Sequence, residues 1–308
     1  MQPAFSVIFL TVLIGAGQGL FLALYACELS GFGAAPGERL TLALGAAVAL
    51  AFSALGLLAS FFHLGHPERA WRSAAMWRTS WLSREVIALP AFMAACAAWG
   101  VAHLLELPGT RALGAVTALL CLVLYVCTAM IYASVRFLQE WASPLTLVNY
   151  LLIGCASGAT LAALLASLRA PALLSPLALA ALVLTLAALV GRGASLARNA
   201  RLAPRSTLQT AIGIKHPLIR QRAQGFMGGS FNTREFFHGR SAAALRGVKW
   251  FFLAAGFALP ALLLAARPDS TGVLLLAVLV QLAGLLAERW FFFAQANHPQ
   301  NLYYQAIS

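Results

Sequence analysis

The sequence predicts an all-α, polytopic membrane protein: a bundle of eight transmembrane helices with a long basic loop between the sixth and the seventh. Three observations predict it. Of 308 residues, 61% are hydrophobic and only 10% are charged, against about 25% charged in a soluble domain. A mean hydropathy of +0.82 leaves too few polar groups to cover a surface facing water, whereas lipid solvates apolar faces directly. Charge-free apolar runs also recur at the roughly 20-residue length that carries a helix across the hydrocarbon core.

The runs cover residues 5–27, 40–62, 86–105, 112–135, 145–168, 170–190, 250–266 and 272–294. Ala and Leu dominate them, and both favour helix. None alternates as a barrel strand does, and a helix satisfies its own backbone groups in lipid. The seventh run is short and flanked by aromatics; the eighth is irregular, with Glu288 and Arg289 inside its last turns. The first lacks a basic leader and exceeds the length of a signal-peptide core, so it is expected to remain as a helix. The chain therefore reads as one integral membrane domain. Its cysteines, Cys27, Cys96, Cys121, Cys127 and Cys155, lie in or at the ends of apolar runs with no CxxC. They read as small packing residues, and no iron–sulfur cluster is expected on this chain.

The net charge of +12 alone suggests nucleic acid, but its distribution argues for topology instead. The connections after the second, fourth and sixth helices, with Arg289 at the C-terminal end of the eighth run, hold 17 of the 21 Lys and Arg residues. The opposite side holds Arg39, Arg111, Arg169 and Arg267. The positive-inside rule makes the basic side cytoplasmic, with both termini there. Anionic lipid is an expected neighbour of that face. The loop at 191–249 is long enough to suggest a docking surface. Its segment 224–239 carries Phe231, Arg234, Phe236 and Phe237 among glycines, and aromatics with Arg are enriched at protein interfaces. The alternative is a loop folded back on its own helices.

Ionisable residues at membrane depth are costly and mark functional sites. His63 directly follows the second run and Glu85 precedes the third, both on the basic side. Imidazole can bond a quinone oxygen, and a carboxylate can take or give the proton of quinone redox chemistry. The plainer alternative is that both simply mark where helices leave the lipid. Gln18 is a second candidate, set among Gly15, Gly17 and Gly19, where a helix or a flat ligand can approach closely; its alternative is an interhelical hydrogen bond. Glu288 and Arg289 either neutralise each other or bond a neighbouring helix. A haem sandwich needs two transmembrane histidines at one depth, and the six histidines offer no such pair. A secondary transporter predicts polar groups and broken helices at the midplane, where this sequence is mostly Ala and Leu. A pure scaffold predicts no role for His63 or Glu85.

The segment His63-Leu64-Gly65 with Pro67 and Arg69, followed by Leu82-Ser83-Arg84-Glu85, places the Glu 22 positions after the His. This spacing, in an eight-helix layout spanning essentially the whole chain, resembles the DMSO reductase anchor subunit family. The resemblance implies an anchor without haem that binds quinone, either ubiquinone or menaquinone. It also implies two partners, an iron–sulfur electron-transfer subunit and a molybdopterin catalytic subunit. The family's quinol-site His and essential Glu fall on His63 and Glu85, and Arg84 goes with them in the motif. In the best-known member the side bearing this motif faces the periplasm, whereas the charge bias here puts it in the cytoplasm. The chain is therefore more similar to the branch that anchors cytoplasm-facing sulfite dehydrogenases. The expected function is electron exchange between an iron–sulfur subunit and the quinone pool during sulfite oxidation; an anchor for menaquinol-dependent reduction of S-oxides is the alternative.

Overall fold

The computed structural model describes residues 1–62, 64–220, 222 and 236–304. Among these there is no strand, and eight helices are long and apolar enough to cross a membrane. They are α1 (Phe5–Leu29), α2 (Pro36–Phe61), α3 (Trp81–Leu104), α4 (Thr110–Ala133), α5 (Pro144–Arg169), α6 (Pro171–Asn199), α7 (Ala242–Ala266) and α8 (Thr271–Ala294). The shortest has 24 residues, and at about 1.5 Å per residue it spans the roughly 30 Å hydrocarbon core.

Local chemistry sets the starts. The side chains of Ser80, Ser143, Ser241 and Ser270 accept hydrogen bonds from the free backbone N–H groups that open α3, α5, α7 and α8. Pro36, Pro144 and Pro171 open α2, α5 and α6, where a missing N–H costs nothing. Three helices run furthest beyond their apolar stretches. α3 begins at Trp81 rather than 86, α6 continues to Asn199 rather than 190, and α7 begins at Ala242 rather than 250. Arg84, Glu85, Arg192, Arg198, Arg246 and Lys249 interrupt hydrophobicity, but Arg, Lys and Glu are good helix formers. Composition ended the run; nothing ended the helix. The long connection accordingly shrinks to 200–241 and includes a short helix, Leu208–Ile212.

The helices α1 and α5 are the most buried spans. Their crossing depends on glycine: a Cβ on Gly158 would lie 2.0 Å from the backbone carbon of Gly19, and one on Gly19 would lie 2.0 Å from the carbonyl oxygen of Gly154. Of the two uses open to the first-helix glycines, a neighbouring helix takes this one. A second close approach joins α7 to α8. One π turn, Ala254–Ala258, interrupts α7, and a Cβ on Gly284 would lie 2.1 Å from the Gly256 nitrogen. The outer faces of α2, α4, α6 and α7 expose Leu58, Leu119, Val190 and Leu262 among others, which are the side chains lipid solvates.

At the end of the bundle away from the basic loops, α1 is pinned to α3. The Trp99 indole N–H donates to Glu28 Oε2 at 3.0 Å, and His103 Nε2 lies 3.3 Å from Glu28 Oε1. All three side chains are buried. At the basic end, the last part of the α6–α7 connection returns to the chain's own C-terminal region. The Phe236 ring stacks on His298 with 4.0 Å between centroids, and buried His238 lies 6.5 Å from the Trp290 ring. Phe231 and Arg234 lie outside the described residues.

Candidate functional site

The first turn of α3 divides its two charged residues between separate tasks. Ser80 caps the helix and Trp81 begins it. The Arg84 guanidinium turns back, donating to the carbonyls of Trp77 at 2.9 Å and Arg78 at 2.8 Å and lying over the Trp81 ring. It ties the α2–α3 connection to the helix start. One residue on, Glu85 turns into the bundle. It is 8% exposed and accepts a 2.5 Å hydrogen bond from the Thr128 hydroxyl of α4. His63 lies outside the described residues. Of the neighbouring histidines, His66 is exposed and pairs with Glu68 at 3.0 Å.

Gln18 and Glu85 line the same internal cavity, together with Tyr125, Thr128, Glu288 and Arg289. Gln18 Nε2 donates to the Cys121 carbonyl at 2.8 Å, and the Tyr125 hydroxyl donates to the Gly15 carbonyl at 2.8 Å. Thus the amide makes the interhelical bond the sequence allowed and also faces the carboxylate's cavity. About 20 Å³ of it is open to the centre of a water molecule. One water needs roughly 10–15 Å³ on that measure, so there is room for one or two waters but not for an aromatic ring. Arg84 is not among its walls.

A second group of buried charges adjoins the first. Arg192 of α6 meets Glu288 of α8 at 2.7 Å, while Arg289 Nη2 stands 3.9 Å from the other Glu288 oxygen. The Arg289 guanidinium lies 3.9 Å from the centre of the Tyr150 ring. Of the two readings open for Glu288, the bond to a neighbouring helix is the stronger contact. Below this cluster Asn149 Nδ2 donates to Ser195 Oγ at 2.7 Å. Arg192 was not singled out by the sequence because it falls just past the apolar run ending at 190. The available signal was continued helical spacing: Arg192, Ser195 and Asn199 recur on one face beyond that run.

The site is thus a buried carboxylate on α3 and an ion cluster between α6 and α8, both toward the basic end, with an amide on α1 near the middle of the bundle. A protein-family model described as DMSO reductase anchor subunit (DmsC) matches residues 1–304. The chain belongs to that family. A relative of this anchor, a sulfite dehydrogenase subunit of Allochromatium vinosum, is 52% identical over 326 aligned positions covering all of both chains. The anchor is a multi-pass membrane protein, and its charged interior lies among helices rather than in loops.

Proposed function

We propose that this chain is the quinone-reactive anchor of a cytoplasm-facing sulfite dehydrogenase in a bacterial inner membrane. Its partners are an iron–sulfur electron-transfer subunit and a molybdopterin catalytic subunit. The observation that carries the reading is 52% identity, across the full length of both chains, to a protein described as part of a sulfite dehydrogenase. That favours sulfite oxidation over S-oxide reduction within the same family.

The donor set suits quinone chemistry at Glu85. A carboxylate held by Thr128 and backed by a water-sized polar cavity can exchange protons with that cavity. The enclosed space excludes a ring, so the headgroup is held at the cavity's edge, by His63 and Glu85, with Gln18 behind them. Quinone, when bound, supplies two-electron chemistry. Thr128 orients the carboxylate, and the packed helices keep bulk water from it. Arg84 acts through the fold of the α2–α3 connection. Phe231, Arg234, Phe236 and Phe237 remain the proposed docking residues, with Phe236 also bracing the tail through His298.

The complex purified through a tag on this chain tests the reading. Molybdenum and iron should co-purify, and sulfite should reduce a quinone analogue. A complex inert to sulfite that instead couples quinol oxidation to S-oxide reduction would move the chain to the reductase branch. Orientation is checked separately. A reporter active only in the periplasm, fused to the C-terminus, should be inactive; activity there would invert the topology.

A further inference from the structure

Buried polar atoms without a hydrogen-bond partner among the described residues gather at the ion cluster, four of them being Asn149 Oδ1, Arg192 Nη2, Glu288 Oε2 and Arg289 Nε. Buried polar groups of this kind are normally satisfied by ordered water. The four are not scattered. They surround two small cavities that share Tyr150, Ile153, Glu288 and Arg289 as common walls. The deeper cavity is the one that reaches Glu85, Thr128 and Gln18. The shallower, with about 10 Å³ open to water centres, reaches Asn149, Arg192 and Ser195 and ends at Glu140.

Glu140 is the link to solvent. It sits in the connection between α4 and α5, half-buried, and accepts from Asn297 Nδ2 at 3.4 Å. It also forms part of the wall of two open surface clefts, of about 530 and 410 Å³. One of these contains His298, whose pKa is lowered by burial and then by the positively charged chain terminus nearby. From cleft to Glu140, then to the Arg192–Glu288–Arg289 cluster, then to Glu85, each stage shares wall residues with the next. Such a run joins one carboxylate at the surface, one midway and one at the proposed headgroup. A purely structural ion cluster needs neither the shared cavities nor the exit at Glu140.

We propose that this run is a proton path between the basic face of the membrane and Glu85. It rests on the reading of Glu85 as the proton partner of quinone. Reduction of one quinone to quinol takes two electrons, delivered by the electron-transfer subunit, and two protons. Those protons enter at Glu140, pass along water held by Asn149, Arg192 and Glu288, and reach the quinone oxygens from Glu85. The path leads to the side of the proposed partners, so the protons released by sulfite oxidation and those consumed by quinone appear on one face.

The test uses the intact complex in membranes, with Glu140→Gln, Tyr150→Phe and Glu85→Gln beside the parent. Three quantities are read: quinone reduction, reduction of an artificial soluble acceptor, and binding of a quinone-analogue inhibitor. Glu140→Gln should slow quinone reduction at least about tenfold, with acceptor activity and inhibitor binding unchanged. Added formate, a small proton carrier that fits the clefts, should restore part of the rate. Tyr150→Phe removes the hydroxyl at the junction of the cavities and should slow the same step; if it also loses acceptor activity it has misassembled, and Glu140→Gln alone decides. A full quinone rate in Glu140→Gln while Glu85→Gln stays slow overturns the path and leaves the site. A full rate in Glu85→Gln overturns the reading of the site itself.

Discussion

Glu85→Gln is expected to lower quinone-coupled turnover by about 10²–10⁴-fold while the complex stays assembled. The argument is steric and chemical. Glutamine keeps the volume and the carbonyl oxygen that accepts from Thr128, so the first turn of α3 and its contact with α4 survive. What disappears is a group that can carry a proton. Binding of a quinone-analogue inhibitor should therefore change far less than turnover. The measurement is sulfite-driven quinone reduction beside reduction of an artificial soluble acceptor in the same membranes. Equal loss of both would show misassembly rather than a proton defect. Retention of both would remove Glu85 from the reaction. Glu85→Asp, which keeps the acid but withdraws it by one methylene, should fall between parent and Gln.

The second large effect is on stability. Arg192→Ala should destabilise the anchor by about 3–5 kcal/mol, because it leaves Glu288 as a buried carboxylate without its close partner. Glu288 is 2% exposed, and its remaining cationic neighbour Arg289 is 3.9 Å away. Thermal unfolding of the complex in detergent measures this. Replacing both partners, as Arg192→Met with Glu288→Leu, should recover most of the loss, since apolar side chains of similar volume often serve as well as a buried pair. If the double variant is as unstable as the single one, the pair is holding something besides itself. The double variant also separates two roles: it should be stable yet slow with quinone.

The fold was largely legible because lipid imposes one simple requirement, an apolar run of sufficient length, and eight such runs stand out. Boundaries were less legible, since hydropathy reports where lipid ends and helices do not stop there. Glu85 shows the consequence: it precedes the apolar run of α3 yet belongs to the helix and is buried. Gln18 and Glu85 stood out as polar residues in apolar surroundings, and they meet at one cavity. Their neighbours Thr128 and Tyr150 did not stand out, because Thr and Tyr are ordinary in membrane helices and only the packing gives them a role. Arg192 was hidden by its place in a basic stretch; its partner Glu288 is 96 residues away, and no local pattern connects them.

The central place of α1 bears on how the protein is made. This helix leaves the ribosome well before the groups that satisfy it. Gln18 waits for Cys121, Glu28 for Trp99 and His103, and Gly19 for Gly154 and Gly158. Until α3 and α4 are inserted, α1 holds an amide and a carboxylate in the bilayer without their final partners, which lipid cannot replace. Insertion of α1 and its packing are therefore separate events, divided by the synthesis of more than a hundred residues. During that interval the newborn helix carries polar groups whose partners are still unmade. A chain interrupted before α5 leaves the glycine seam of α1 open to other helices.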